Sequence, residues 1–249
     1  MSEGNFPSEE SHGEHAGAAK WANVWKIPCR EEREKQLPDE AIYRLLRRGK
    51  IIPSPKELEK LDRRFVFLGT CSGAGVFEER LARSLEQETK DPLPFKPLFI
   101  ASDRARSVNE KGYAVPPNLF LPGDFPKTSF GFVTADIAGL PFPDRFADVV
   151  FENMGAIFYA GIEEFRDILK EYDRVLRPGG KLVVSKAALD LIKQKCGTDA
   201  KTVLAPWRQK VIPSDYWPFV VLERKKEKSP VANLFSSLKG GRVIPVWRP

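Results

Sequence analysis

The chain has 249 residues and a mass of 28.1 kDa, with 42% hydrophobic and 30% charged residues, an ordinary globular composition that excludes a fibre, a disulfide mini-protein and wholesale disorder. The balance of 40 basic against 34 acidic residues leaves a formal charge of +6. The excess sits in the short runs Arg44–Lys50 and Arg224–Lys228 without interleaved aromatics, so nucleic acid stays open as a partner but is not favoured.

Residues 1–20 are rich in Gly, Ser, Glu and Ala and are expected to form a mobile N-terminus. His12 and His15 lie there without a framework of further ligands, and Cys29, Cys71 and Cys196 form no CxxC pair, so neither a metal site nor a disulfide framework is expected. No run approaches 18 apolar residues and the polar N-terminus has no apolar core, so the expectation is a cytoplasmic protein without a membrane span. Residues 21–62 read as a helical extension. Ile42, Leu45 and Leu46 recur at helical spacing after Asp39, Gly49 ends the run, Pro53 and Pro55 break it, and a short helix Lys56–Asp62 follows.

From residue 63 to 226 strand and helix alternate. Apolar runs at Phe65–Leu68, Leu98–Ala101, Gly131–Thr134, Ala147–Phe151 and Lys181–Ser185 predict five strands, and Trp217–Leu222 is the best candidate among the later ones. Val76–Glu88 and Ile162–Leu176 predict helices, the second with Phe165, Ile168, Leu169, Tyr172 and Leu176 on one face. Continuous apolar strands separated by helices predict an α/β fold, a doubly wound, mainly parallel, seven-stranded Rossmann-like sheet. Residues 227–249 form a tail. In such sheets ligands bind at the carboxyl ends of the strands. The first strand ends in Gly69, Thr70, Cys71, Ser72, Gly73, Ala74, Gly75, where glycines permit a tight turn and close backbone approach. The second ends at Asp103, placed to accept ribose hydroxyl hydrogens, and the third near Asp136, placed to accept from an exocyclic amine. Read singly, each Asp is equally a helix cap or turn residue.

The segment Ala135, Asp136, Ile137, Ala138, Gly139, Leu140, Pro141, Phe142, Pro143, Asp144, followed by Phe146, Ala147, Asp148, Val149, Val150 and then by Arg174, Val175, Leu176, Arg177, Pro178, Gly179, Gly180, resembles the class I S-adenosylmethionine-dependent methyltransferases. It is similar to the branch with "D-x-x-x-LPF" and "RVL-PGG" segments, and the resemblance covers roughly Arg63 to Lys186. It implies S-adenosyl-L-methionine as cofactor. Gly69, Cys71, Gly73 and Gly75 would lie along its methionine part, Asp103 at the ribose, Asp136 and Ile137 at the adenine, and Glu152 and Asn153 would face the methyl group and the substrate. The chain departs from the family at Phe67, where an acid is usual, and at Cys71, where glycine is usual.

A second resemblance, to the short-chain dehydrogenases, rests on the Gly69, Gly73, Gly75 spacing, on Asn153-Met154-Gly155 and on Ser185–Leu189. Its chemistry needs a tyrosine where Leu182 stands, and Glu78 and Glu79 in the first turn after the glycine loop would repel a dinucleotide pyrophosphate. The expected function is methyl transfer to a small-molecule acceptor, with Glu152 as candidate base and Tyr159 as a wall of the acceptor pocket. A non-catalytic or RNA- or protein-directed binder on the same sheet is the alternative. Trp207, Tyr216, Trp217 and Phe219 fit either a substrate cover or the packing of the last strands.

Overall fold

The computed structural model describes residues 39–72, 75–103, 126–152, 155–213 and 218–225. Two helices open it, α1 (Asp39–Arg48) and α2 (Pro55–Leu58). The second is set by a capping box, in which Ser54 Oγ accepts from Glu57 N at 3.2 Å and Glu57 Oε2 accepts from Ser54 N at 2.7 Å. Then follow β1 (Val66–Thr70), α3 (Val76–Glu88), β2 (Leu98–Asp103), β3 (Ser129–Thr134), β4 (Ala147–Glu152), α4 (Ala156–Tyr159), α5 (Ile162–Val175), β5 (Leu176–Ser185), α6 (Lys186–Leu204), β6 (Trp207–Ile212) and β7 (Phe219–Arg224).

The seven strands form one sheet in the order β3-β2-β1-β4-β5-β7-β6, with β3 to β5 pairing parallel and β7 antiparallel between β5 and β6. This is the doubly wound Rossmann-like sheet that the sequence predicts. The chain order reverses between β1 and β4, which places the ligand crevice at their carboxyl ends. Alternate residues of each strand face opposite layers. One layer packs α5 and α6 through Phe165, Ile168, Leu169, Tyr172, Leu189 and Ile192; the other packs α1, α2 and α3 through Leu46, Ile52, Leu58, Leu81 and Leu85. Among the described residues, no helix is long and apolar enough to cross a membrane.

Several boundaries differ from the sequence expectation. The strands at β1, β2 and β4 run one or two residues further, to Thr70, Asp103 and Glu152, so polar residues expected just beyond the strands are their last residues. β5 begins directly at Leu176, and Pro178, Gly179 and Gly180 are absorbed in a bulge against β4, where Gly179 takes φ +79° and the register shifts between Ala147 and Val149. The 19-residue helix α6 is not apparent in the sequence, because Gly197 (φ +50°) breaks its period. The seventh strand lies at Phe219–Arg224, two residues later than expected. Helix α1 is no loose prelude. Leu46 and Ile52 are fully buried, Arg47 bonds Glu88 of α3 at 2.8 Å, Tyr43 also donates to Glu88, and Lys181 of β5 donates to Lys50 O.

Candidate active site

A cleft of about 160 Å³ opens where β1, β2 and β3 end, lined by Thr70, Cys71, Ser102, Asp103, Ala135, Asp136, Ile137, Leu140 and Ala156. The parallel register brings these together. Thr70 pairs with Ser102 on one side and Glu152 on the other, and Asp103 pairs with Thr134, so the polar ends of four strands stand in one row. Ser72 N donates to Ser102 O at 3.1 Å and Ala135 N donates to Asp103 O at 3.0 Å, which locks the glycine turn and the Asp136 loop to β2. Asp136 Oδ1 accepts from Ala138 N at 3.0 Å, so the same side chain both shapes its turn and lines the cleft. Ile137 is partly buried against the core beside it.

Of the residues the sequence singles out, Cys71, Asp103, Asp136 and Ile137 line this cleft. Gly69 and Gly75 frame the turn beside it. Gly75 has φ +71°, and a methyl group there would fall 2.7 Å from Ala101 Cβ, so this position requires glycine twice over. Gly73 and Asn153 lie outside the described residues, as do Tyr216 and Trp217, and His12 and His15. Thr70, Ser102, Ala135, Leu140 and Ala156 line the cleft without having been singled out; Thr70 and Ser102 were accessible to the rule that polar residues ending a strand are candidate contacts.

Cys71 occupies the left-handed region at φ +55°, where glycine would be unstrained. Its sulfur accepts from Ala156 N at 3.3 Å, and a methyl group on Gly155 would fall 2.5 Å from it, so the turn and the start of α4 are in tight contact. Burial, then the nearby Glu152, with smaller contributions from Asp103 and Asp136, push the Cys71 thiol up to about 12. Glu152 is fully buried at the end of β4. Its Oε1 accepts from Ile157 N at 3.2 Å and from Gly155 N, while Oε2 has no hydrogen-bond partner among the described residues. Burial pushes its carboxyl up to about 7, against the pull of the two amides. Thr70 Oγ1 and the Tyr172 hydroxyl, 2.8 Å apart, close the floor.

A larger cleft, about 260 Å³, lies at the opposite end of the sheet among Asp144, Arg145, Asp173, Arg174, Arg177, Trp207 and Arg224. Its guanidiniums are mostly engaged. Arg174 bonds Leu140 O, Phe142 O and Asp144 at 2.8 to 3.0 Å; Arg177 bonds Asp148 at 2.5 Å; Arg224 pairs with Asp173 at 3.0 Å and lies over the Trp207 ring. With the stacked Phe142 and Phe146 rings, these bonds clamp the Leu140–Asp148 segment to the end of α5. The two motifs that resemble one family are thus two halves of one clamp, and the clamp fixes the loop that carries Asp136. The dehydrogenase pattern has no such unity. Leu182 is buried in the sheet, and Lys186 pairs with Asp190 on α6.

Comparison with known families assigns residues 108–184 to the family described as a methyltransferase domain. Over that stretch the chain is similar to methyltransferase domains, the family its sequence resembles. The residues present fit the S-adenosylmethionine that the sequence resemblance implies. Among the described residues the cleft lining includes the carboxyl groups of Asp103 and Asp136, acceptors suited to ribose hydroxyls and an exocyclic amine, and Ile137 offers an apolar wall to an adenine ring. Among solved structures, the chain is similar to a putative S-adenosyl-L-methionine-dependent methyltransferase from Methanococcus maripaludis (15% identity, 90% of this chain and 100% of that one, TM-score 0.45). It is also similar to the PH0226 protein from Pyrococcus horikoshii (15%, 83% and 99%, 0.47) and to an S-adenosylmethionine-dependent methyltransferase from Methanosarcina mazei (16%, 70% and 98%, 0.42). A comparison with curated proteins finds no match.

Proposed function

We propose that the chain is an S-adenosylmethionine-dependent methyltransferase that acts on a small-molecule acceptor, which enters beside α4. The observation that supports this reading most is the aromatic pair on α4, the helix whose Ala156 lines the cleft. Phe158 and Tyr159, with ring centroids 5.0 Å apart, stand at the end of α4, and Tyr159 is 45% exposed, an aromatic wall available to a flat or apolar acceptor.

When bound, the cofactor supplies an electrophilic methyl group on a sulfonium sulfur. The work of the chain is then alignment and exclusion of water. Asp103 and Asp136 hold the nucleoside end, Cys71 and the glycine turn shape the floor, and α4 covers the end of β4. Glu152 keeps this cover in place through the Gly155 and Ile157 amides. With its carboxyl near 7, it is also able to take up the proton that a protonated acceptor must lose, once the cover moves.

The test is a transfer assay with cofactor labelled at the methyl group and a cell extract separated by size. Label recovered in the small-metabolite fraction supports the reading. Label confined to RNA or protein would overturn it.

A further inference from the structure

One carboxyl near the cleft has no part in the scheme above. Glu78 stands in the first turn of α3, a position that is ordinarily solvated, yet it is 2% exposed. Its side chain lies flat on β1. A methyl group added at Gly69 would fall 1.9 Å from Glu78 Oε1, 2.5 Å from Cδ and 2.7 Å from Cγ. The backbone of Gly69 does not need glycine, because the positive φ values among described glycines belong to Gly75, Gly179 and Gly197. Gly69 is glycine because Glu78 fills the space where a side chain would be.

Glu78 Oε1 accepts a hydrogen bond from Ser72 Oγ at 2.8 Å. Ser72 is the hub of the turn: its N–H donates to Ser102 O of β2 at 3.1 Å, and its C=O accepts from Gly75 N at 3.0 Å, next to the start of α3. Through Ser72 the carboxyl therefore grips a turn that is tied to β2 and α3. Phe67 faces the same layer two residues earlier on β1, with its ring 5.6 Å from that of Phe99 and 5.7 Å from that of Phe151. A carboxyl at position 67 would lie in that aromatic layer. The carboxyl delivered from α3 lies roughly 7 Å further along the strand, nearer the cleft.

We propose that Glu78 is a positioning residue for the amino-acid end of the cofactor: its carboxyl, brought in from α3 over Gly69, holds Ser72 and the glycine turn and favours an ammonium group above them. This rests on the cofactor assignment. With Asp103 and Asp136 occupied at the nucleoside end, an elongated ligand in this cleft extends along the strand ends toward Thr70 and Cys71, next to Ser72. A carboxyl screened from water attracts a cation there more strongly than one in solution.

The test uses two ligands that share the nucleoside and differ at the amino-acid end, S-adenosylhomocysteine and 5′-methylthioadenosine, titrated calorimetrically into the full chain. Glu78→Gln should weaken S-adenosylhomocysteine about tenfold or more and change methylthioadenosine by less than about threefold. Ser72→Ala should shift the same ligand in the same direction by a smaller factor, and it decides the matter if Glu78→Gln fails to fold. Asp103→Ala should weaken both ligands. Equal weakening of both ligands by Glu78→Gln, or of neither, would overturn the proposal while leaving the cofactor assignment intact. A wild-type chain that binds neither ligand would instead remove the assignment itself, and the proposal with it.

Discussion

Replacing Glu152 by Gln should flatten the dependence of stability on pH between about 4.5 and 7. Burial places this carboxyl at about 7, against an ordinary value of 4.5, and the amides of Ile157 and Gly155 offset only part of that cost. Between those two values the folded chain holds a proton that the unfolded chain has released. The stability associated with the group is therefore complete below about 4.5 and is lost as pH rises through about 7. At about 1.4 kcal/mol per pH unit the interval amounts to about 3 kcal/mol. Gln retains an acceptor for both amides and never ionises, so the variant should resemble wild type near pH 4.5 and gain up to about 3 kcal/mol on it at pH 8. Urea unfolding of both proteins at pH 5 and pH 8, compared as a difference of differences, cancels the other titrating groups. A variant whose stability falls as much as that of wild type between these two values would refute the placement of Glu152 as a buried, ionisable carboxyl.

Cys71 should resist alkylation, because a thiol at about 12 is about one part in ten thousand thiolate at pH 8; mass-spectrometric labelling as fast as that of an exposed cysteine would contradict its burial. Leu46→Ala, at a side chain with no exposed surface in the layer under α1, should cost about 2 to 5 kcal/mol and leave a single unfolding transition. A change below 0.5 kcal/mol would mean that α1 is not part of the core.

The fold was legible because its strands are short continuous apolar runs and because α5 keeps a strict helical period over Phe165, Ile168, Leu169 and Tyr172. The Asp136 and Arg174 segments were legible for a stronger reason. Each is half of a clamp, in which Arg174 bonds Asp144, Arg177 bonds Asp148 and the Phe142 ring stacks on Phe146. Three features were hidden for equally physical reasons. Gly197 interrupts the period of α6. Glu152 reads as a residue that faces the methyl group and the substrate, but α4 folds over it and buries it, a contact set by Cys71 and Gly155, which are 84 residues apart in the chain. Glu78 reads as an exposed first-turn acid that would repel a pyrophosphate. Gly69 reads as a turn glycine, but it lies within β1, and its role of making room for Glu78 emerges only when strand and helix are placed together.

The row of strand ends from Asp136 to Cys71 is the proposed seat of S-adenosylmethionine. This placement is tested most directly by calorimetric titration of S-adenosylhomocysteine into the wild-type chain and into Asp103→Ala and Asp136→Ala. Wild type should bind saturably, and each variant should lose about 1 to 3 kcal/mol, the cost of leaving buried ligand donors unpaired. Wild-type binding that is unchanged in both variants would contradict the placement.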